Sequence, residues 1–228
     1  MKKHRFPLML VCAVMLFGTV LADDDDGPRF QYGFKFGLVR NGFEALPSSP
    51  TNPFSAVKVD GKLGFLGGAF YDIALFRGGQ DIYFTTAAAY KFLNFKGDFA
   101  TTDTPPVLGD FRVYFHVLDL PVGVKVAFNK MNGHPYVGAG VQTDFILAHS
   151  QSTNTTGVTQ DYNLVPAYNS RTNVGFYFNG GFEIPSSSFM YVIDFKYIWW
   201  GLDNFTGAET FYKRNKGELQ FTFGIKIH

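Results

Sequence analysis

The feature that most constrains the fold of this chain is a strict alternation between large apolar residues and small or polar ones. In residues 29–40, Phe30, Tyr32, Phe34, Phe36 and Leu38 fall on one face, and Gln31, Gly33, Lys35, Gly37 and Val39 fall on the other. Residues 219–227 repeat the pattern. A period of two residues is that of a β-strand, and no long window shows the 3.6-residue period of a helix. The chain is therefore predicted to form strands with one apolar face.

Six further segments show strand patterns, which gives eight predicted strands in all. These segments lie near 61–76, 81–96, 111–128, 135–148, 173–184 and 189–202. The connections alternate between short and long. The short ones are 77–80, 129–134 and 185–188, and the long ones are 41–60, 97–110, 149–172 and 203–217. Such alternation is typical of a barrel whose two rims face different compartments. It predicts an all-β fold, an eight-stranded antiparallel up-and-down transmembrane β-barrel.

The first 22 residues have the pattern of a secretory signal peptide. A basic segment, residues 2–5, precedes an apolar run over 6–21, and small residues lead to a predicted cleavage between Ala22 and Asp23. The alternative is an N-terminal membrane anchor, but the run is shorter than the ~20 residues of a spanning helix. The predicted organisation is thus a signal peptide over 1–22, an acidic tail over 23–28 and a barrel domain over 29–228. The single cysteine, Cys12, lies in the predicted leader.

Composition and charge narrow the function classes. The chain is 46% hydrophobic and 18% aromatic, which is too apolar for a disordered protein. The predicted leader contains three basic residues and no acidic one, so its removal changes the formal charge from +1 to −2. No basic footprint for a nucleic-acid partner remains, and none is predicted.

Charged residues on the less apolar face of each strand decide which face is inside. Charged side chains facing lipid cost on the order of 2 to 4 kcal/mol for a basic group at the midplane, so we expect them to point into the barrel and pair there. An eight-stranded barrel is only wide enough to be filled by side chains, so no diffusion pore is expected. The predicted lumen charge network is Lys35, Asp72, Lys91, Asp119, Lys125, Asp144, Glu183, Asp194, Lys196 and Lys226.

The opposite faces would then form a band in contact with outer-membrane lipid. Tyr191, Tyr197 and Trp199 suit an aromatic girdle, because amphipathic rings are favoured at the membrane interface. The alternative is an exported soluble barrel of lipocalin type that binds a small apolar ligand. That alternative requires the apolar faces to point inward.

Residues for catalysis or cofactor binding are sparse. No phosphate-binding loop or dinucleotide fingerprint is present, and no two histidines have ligand spacing, so no cofactor, cofactor-binding residue or metal site is predicted. The adjacent pair His149 and Ser150, with Asp144 and Asp161 nearby, is the single candidate for a hydrolase site. Adjacent residues of a strand point to opposite faces, which disfavours it. No catalytic residue is predicted.

Several segments resemble the PorT-like family of small outer-membrane β-barrel proteins. They are residues 118–125 (LDLPVGVK), 135–140 (PYVGAG), 194–197 (DFKY) with 201–204 (GLDN), and 224–227 (GIKI). The resemblance implies an eight-stranded barrel with both termini in the periplasm, inserted by the barrel-assembly machinery, which reads the last strand. The ending Ile227-His228 departs from the Phe with which such barrels commonly end.

The predicted function is that of a non-enzymatic integral protein of the cell outer membrane. A rigid barrel would present the loops 41–60, 149–172 and 203–217 outside the cell, where they could contact an extracellular or envelope protein. Its role would be structural, adhesive, or accessory to envelope assembly or secretion. Two further alternatives are an outer-membrane enzyme that uses His149 and a narrow channel, which the predicted charged interior disfavours.

Overall fold

A computed structural model of the chain describes residues 30–45, 54–128, 133–155, 172–201 and 212–227. Within these residues the secondary structure consists of nine β-strands. They are β1 (Phe30–Ala45), β2 (Phe54–Gly61), β3 (Leu63–Phe76), β4 (Asp81–Thr101), β5 (Leu108–Ala127), β6 (Pro135–Thr155), β7 (Thr172–Pro185), β8 (Met190–Trp200) and β9 (Tyr212–Ile227). Among the described residues, no helix is long and apolar enough to cross a membrane.

The strands form one antiparallel sheet that closes on itself. β1 pairs with β3 and β9, and the series continues through β3–β4, β4–β5, β5–β6, β6–β7, β7–β8 and β8–β9. Each strand of this ring therefore has a partner on both sides, which satisfies its backbone donors and acceptors. The prediction of an all-β antiparallel fold is confirmed.

The structure has nine strands where eight were predicted, because β2 lies within the predicted loop 41–60. β2 and β3 follow each other along the same side of β4, separated by Lys62 alone. Gly61 lies opposite Phe95, and Phe65 lies opposite Phe92. The segment 61–65 therefore contains one more residue than the segment 92–95 of β4 that it faces. Lys62 is thus a β-bulge, at which a strand bends and its side-chain direction changes.

Five predicted strands are longer in the structure, and all five extend at the same end of the ring. β1 continues to Ala45, and the other four are β4, β5, β6 and β9. The predicted loop 97–110 is wrong over most of its length, since β4 runs to Thr101 and β5 begins at Leu108. β6 continues to Thr155, and β9 begins at Tyr212. β2 with residues 95–101 of β4, 108–115 of β5 and 149–155 of β6 forms a four-stranded continuation beyond the ring, which we call the extension sheet.

The two faces of the ring differ sharply in chemistry. Large apolar side chains on the outer face are solvent-exposed, for example Phe34 at 63% and Phe178 at 64%. Charged and amide side chains on the inner face are buried. This arrangement is the reverse of a lipocalin-type barrel, whose apolar faces point inward. The structure therefore argues against the soluble ligand-binding alternative.

Two facing glycines make room for a buried tyrosine inside the ring. Gly123 of β5 lies opposite Gly140 of β6, which in turn lies opposite Tyr177 of β7. Tyr177 is 2% exposed. A Cβ added at Gly140 would lie 2.8 Å from Tyr177 Cε1 and would also collide with the carbonyl oxygen of Val122. A larger residue at either glycine would displace the tyrosine ring.

We predict that Gly140→Val destabilises the protein by about 1–3 kcal/mol through overpacking. The free energy of unfolding is measured by urea titration of the refolded protein in detergent. Ala139→Val is the matched control, because Ala139 is the next residue and is exposed on the outer face. Equal unfolding midpoints for the two variants would contradict the prediction.

Candidate functional site

The candidate site is the polar interior of the ring. Of the ten residues predicted for a charge network, Lys35 is partly exposed and the others are at most 5% exposed. The buried nine are Asp72, Lys91, Asp119, Lys125, Asp144, Glu183, Asp194, Lys196 and Lys226. Their closest contacts divide them into three groups, and Tyr136 lies between two of these, because its ring is 5.3 Å from Lys125 Nζ and its hydroxyl donates to Asp194.

The first group, the Lys91 cluster, joins four strands around one ammonium group. Lys91 Nζ lies 2.7 Å from Asp144 Oδ2, 2.9 Å from Glu218 Oε1 and 3.6 Å from Asp119 Oδ2. It also lies 5.2 Å from the ring centroid of Trp200. One cation therefore faces three carboxylates that come from β5, β6 and β9.

Three amide side chains supply further donors to two of these carboxylates, Asp119 and Glu218. Asn41 donates to Glu218 at 2.9 Å, and Gln142 donates to Asp119. Gln220 donates to Asp119 at 3.1 Å and to Glu218 at 2.8 Å. Hydrogen bonds to carboxylates offset part of the cost of burying charges that a single cation leaves unbalanced.

The second group, the Lys125 cluster, pairs two cations with two carboxylates. Lys125 Nζ contacts Asp72 and lies 2.8 Å from Glu183 Oε1. Lys226 Nζ lies 2.6 Å from Glu183 Oε2 and 3.6 Å from Asp72 Oδ2. The Tyr83 ring lies 4.8 Å from one ammonium group and 5.5 Å from the other. Formal charge is thus balanced within this cluster.

The third group contains Asp194, Lys196 and Lys35, and it lacks close ion pairs. Asp194 Oδ1 accepts hydrogen bonds from Tyr136 at 2.8 Å and Asn179 at 2.7 Å. Lys196 Nζ lies 4.7 Å from the ring centroid of Tyr177. Among the described residues, no carboxylate oxygen lies within 4.0 Å of the ammonium group of Lys35 or Lys196. A tyrosine ring, rather than a carboxylate, provides the contact for Lys196.

An apolar layer follows the Lys91 cluster toward the extension sheet. On β5, the inner positions change from Lys125 and Asp119 to Val117, Phe115 and Phe111 along the strand. Phe95 stacks on Phe115 with ring centroids 5.8 Å apart. We call these buried side chains the apolar cap: Leu93, Phe95, Phe99, Phe111, Val113 and Phe115. The interior of the ring is therefore charged in its middle and apolar at the end from which the extension sheet continues.

Glu218 and the amide residues were not predicted as part of the site. The last strand was predicted from 219 onward and the preceding loop over 203–217, so Glu218 was assigned to neither. It nevertheless lies on the same face as Gln220, Thr222 and Lys226, at every second position of the strand. The missed signal was this continued alternation, since Glu218 is one step further along the buried face. In the structure Glu218 contacts Asn41, Lys91 and Gln220, all of the Lys91 cluster.

The predicted girdle residues lie on the outer face of β8. Tyr191 is near the short-turn end of the strand, and Tyr197 and Trp199 are near the other end. All three are exposed. Trp199 stacks on Phe176 with a centroid distance of 6.5 Å. The three predicted girdle residues thus lie toward the two ends of this face, and Phe195 lies between them.

A larger aromatic group on the outer face was not predicted. Phe65 stacks on Phe92 at 5.1 Å, and Phe92 stacks on Tyr114 at 5.7 Å. Tyr90 and His116 contact each other through Oη and Nδ1 beside the same rings. This aromatic row lies where the ring joins the extension sheet, to which Tyr114 belongs. At this junction the outer face changes from apolar to charged.

The remaining predicted sites have simple placements. The cleavage site at Ala22 and Asp23 and the acidic tail lie outside the described residues. His149 and Ser150 are consecutive exposed residues of β6, while Asp144 is buried in the Lys91 cluster. Within the described ranges, no group of three or more His, Cys, Asp or Glu side chains could hold a metal ion.

Comparison with known proteins identifies the class as that of outer-membrane β-barrels. The model of the outer membrane protein beta-barrel domain family matches residues 22–207, which is most of the chain. The chain belongs to this family. Membership of this family supports the predicted location in the outer membrane.

Among solved structures, the chain is similar to the crystal structure of Ail, the attachment invasion locus protein of Yersinia pestis. The sequence identity is 11%, the similarity covers 86% of this chain and 98% of that chain, and the TM-score is 0.26. Comparison with curated proteins found no match. The family assignment rests on the match over residues 22–207.

The different contacts of Lys91 and Lys196 predict that removal of their charges lowers the stability of the protein by very different amounts. Lys91→Met removes the cation that lies within 4.0 Å of three buried carboxylates and is expected to cost about 3–5 kcal/mol of unfolding free energy. Lys196→Met removes a cation that has no carboxylate within 4.0 Å and keeps an apolar stem beside Tyr177, so we expect a loss below about 1 kcal/mol. Urea unfolding in detergent measures both. A Lys196→Met loss as large as that of Lys91→Met would contradict this account.

Proposed function

We propose that this protein is a non-enzymatic, eight-stranded transmembrane β-barrel of the outer membrane that displays polar structure outside the cell. In this proposal the ring of eight strands spans the lipid, and β2 is the part of the β3 strand that continues beyond it. The observation that supports this proposal most directly is the difference between the two faces of the ring. Large apolar side chains are exposed on the outer face, and ion pairs are buried on the inner face. Lipid is the solvent in which that division is stable.

The height of the outer apolar surface supports this proposal. On β5, the outward-facing positions run from His116 to Val126, and those between are apolar. Ten residues of strand measure about 33 Å, which at a tilt of about 40° spans about 25 Å. That is the height of the apolar band of outer-membrane barrels. The aromatic row at Tyr90 and His116 would then mark one interface and Tyr191 the other, where amphipathic rings are favoured.

The interior supports a role without conduction. The Lys125 cluster, the Asp194 group and the Lys91 cluster lie on the inner face of the ring, and the apolar cap covers the inner face of the adjoining extension sheet. An eight-stranded barrel leaves an interior that side chains fill. We therefore propose that the predicted lumen charge network holds the barrel rigid and closed, and that function lies in the surfaces outside it.

The extension sheet and the long connections would face the extracellular side. The outer face of the extension sheet carries exposed charges, including Lys58, Asp98, Asp110 and Arg112. Such a surface is unsuited to lipid and suited to contact with water or a protein. We propose a structural or adhesive role, or an accessory role in envelope assembly or secretion, for these surfaces.

We also propose that the chain is a member of the PorT-like family and that the barrel-assembly machinery inserts it into the membrane. The PorT-like resemblance of residues 118–125 and 224–227 implies periplasmic termini and insertion by the barrel-assembly machinery, which reads the last strand. β9 pairs with β1 over most of its length, as the final strand that closes a barrel would. In this orientation the short turns 77–80 and 186–189 would face the periplasm.

The first test is the gel mobility of the washed outer-membrane fraction in SDS, boiled against unboiled. A barrel that resists SDS should migrate faster unboiled, because it remains compact, and should unfold on heating. Recovery of the protein only in a detergent-free soluble fraction, with mobility unaffected by heating, would overturn the proposal.

The orientation is tested by cysteine labelling of intact cells with a membrane-impermeant maleimide. The only natural cysteine lies in the predicted leader, so single cysteines report without background. Ser152→Cys, exposed on the extension sheet, should be labelled, and Ser187→Cys, exposed in the short turn 186–189, should be labelled only after the cells are lysed. The reverse pattern would contradict the orientation.

A further inference from the structure

One ion pair inside the ring brings an amine and a carboxyl group into direct contact beside a second carboxylate. Lys91 Nζ lies 2.7 Å from Asp144 Oδ2, and both side chains are fully buried. Glu218 Oε1 lies 2.9 Å from the same nitrogen. The arrangement therefore holds the two reactants of an amide condensation together with a group that can carry protons between them.

The fold holds these groups in contact although they are distant in sequence. Lys91 and Asp144 are 53 residues apart, on β4 and β6, with β5 between them. Glu218 comes from β9, the last strand. Groups held in contact by a rigid sheet react faster than free ones, because folding has already removed the entropy of bringing them together. All three groups meet only when β9 has joined the ring.

Apolar side chains around the pair keep water away from it. Lys91 lies opposite Leu66 of β3 and Val117 of β5. Val117 in turn lies opposite Ile146 of β6, and all three apolar residues are at most 5% exposed. Such surroundings favour uncharged groups over ions, and they withhold the water that would hydrolyse an amide. Conversion of the ion pair to an amide removes two charges from this apolar site.

The Lys125 cluster differs in the number of its cations. Asp72 and Glu183 each lie within 4.0 Å of both lysines of that cluster, Lys125 and Lys226. Two neighbouring ammonium groups stabilise a carboxylate in its ionised form, which does not react with an amine. In the other cluster, three carboxylates lie within 4.0 Å of Lys91, and neighbouring carboxylates share protons readily. The condensation is therefore expected at Lys91 and not at Lys125.

We infer that the side chains of Lys91 and Asp144 condense to an amide bond, with Glu218 as the proton carrier. One proton passes from the ammonium group to Asp144, which gives an amine and a carboxylic acid. The amine nitrogen then bonds to Cγ of Asp144, and the bond from Cγ to one carboxyl oxygen breaks. A second proton passes from the nitrogen through Glu218 to the departing oxygen, which leaves as water. One ammonium and one carboxylate thus become one amide and one water, and no oxidant or cofactor takes part.

The amide side chains of the Lys91 cluster support the product of this reaction. Asn41 and Gln220 donate hydrogen bonds to Glu218. Gln142 and Gln220 donate to Asp119. These two carboxylates therefore keep hydrogen-bond donors when the ammonium group is consumed. The inference goes beyond the proposed function and does not depend on it, because the cluster lies inside the ring whatever surrounds the ring.

The test is the intact mass of the full chain, extracted from outer membranes into detergent and then denatured. Lys91→Arg is the reference, because it keeps the positive charge, stays protonated and cannot act as the amine. Comparison of the two masses cancels any removed leader. The unmodified chain should be lighter than the substitution alone explains, by the mass of one water molecule. Trypsin should release a branched peptide in which residues 78–96 are joined to residues 131–171 through Lys91 and Asp144.

The role of Glu218 is tested by the rate at which the branched peptide appears. Chain that has never folded is obtained from inclusion bodies in urea, where the bond should be absent, and is refolded into detergent. We expect Glu218→Gln to slow the condensation at least about a hundredfold. Lys196→Met is the matched control, since Lys196 is a buried lysine of the same ring outside the Lys91 cluster, and its rate should change less than twofold.

Three results would overturn the inference. The first is a folded, unmodified chain that has the full mass of its sequence and gives no branched peptide. The second is loss of water without the branched peptide, which would place the loss elsewhere in the chain. The third, an unchanged rate in Glu218→Gln, would remove the assigned proton carrier. Every variant is first checked for the heat-dependent mobility shift in SDS, so that failure to fold is not mistaken for failure to condense. Absence of that shift in the unmodified chain would count against the proposed function instead.

Discussion

Burial of charge inside a closed sheet is the constraint on which the rest of this structure depends. An isolated ion inside a ring of strands is costly, so each buried carboxylate requires a cation or several hydrogen-bond donors. Asp144 and Glu218 meet this requirement through Lys91, and Asp72 and Glu183 meet it through two lysines. Because side chains alternate across a strand, fixing these residues inside fixes the phenylalanines and leucines outside. The apolar outer surface and the ionic interior are thus one consequence of the register.

The same alternation explains how much of the fold and the site could be predicted from sequence. Residues such as Asp72, Asp119 and Lys226 alternate with outward-facing apolar neighbours along their strands. This alternation alone places them on the inner face. Which lysine meets which carboxylate depends on strands distant in sequence, such as β4 and β9, and no local pattern contains that information. The division into three groups could therefore not be predicted, although the ten residues that the alternation assigned to the inner face all belong to them.

β2 was missed because its pattern is the inverse of the one that marks the other strands. Beyond the bulge at Lys62 the outward positions are charged, as Lys58 and Asp60 are, while Val59 packs against the apolar cap. Apolar residues that point outward in the ring point inward in the extension sheet. Strands were predicted from large apolar residues on the outer face, so a segment with charged residues there was interpreted as a polar loop. In the proposed orientation, the surroundings of a single strand change from lipid to water along its length, and this change reverses the pattern.

The Lys91 and Lys125 clusters also bear on the order of assembly. Each takes a charged partner from β9, the strand nearest the end of the chain: Glu218 in one cluster and Lys226 in the other. Until that strand joins β1 and β8, Lys91 lacks one of its three carboxylates and Glu183 lacks one of its two cations. Closure of the ring therefore completes the formal charge balance of the Lys125 cluster, to which β9 contributes Lys226. Without β9, Asp72 and Glu183 face Lys125 alone, so this cluster has a net negative charge until the ring closes.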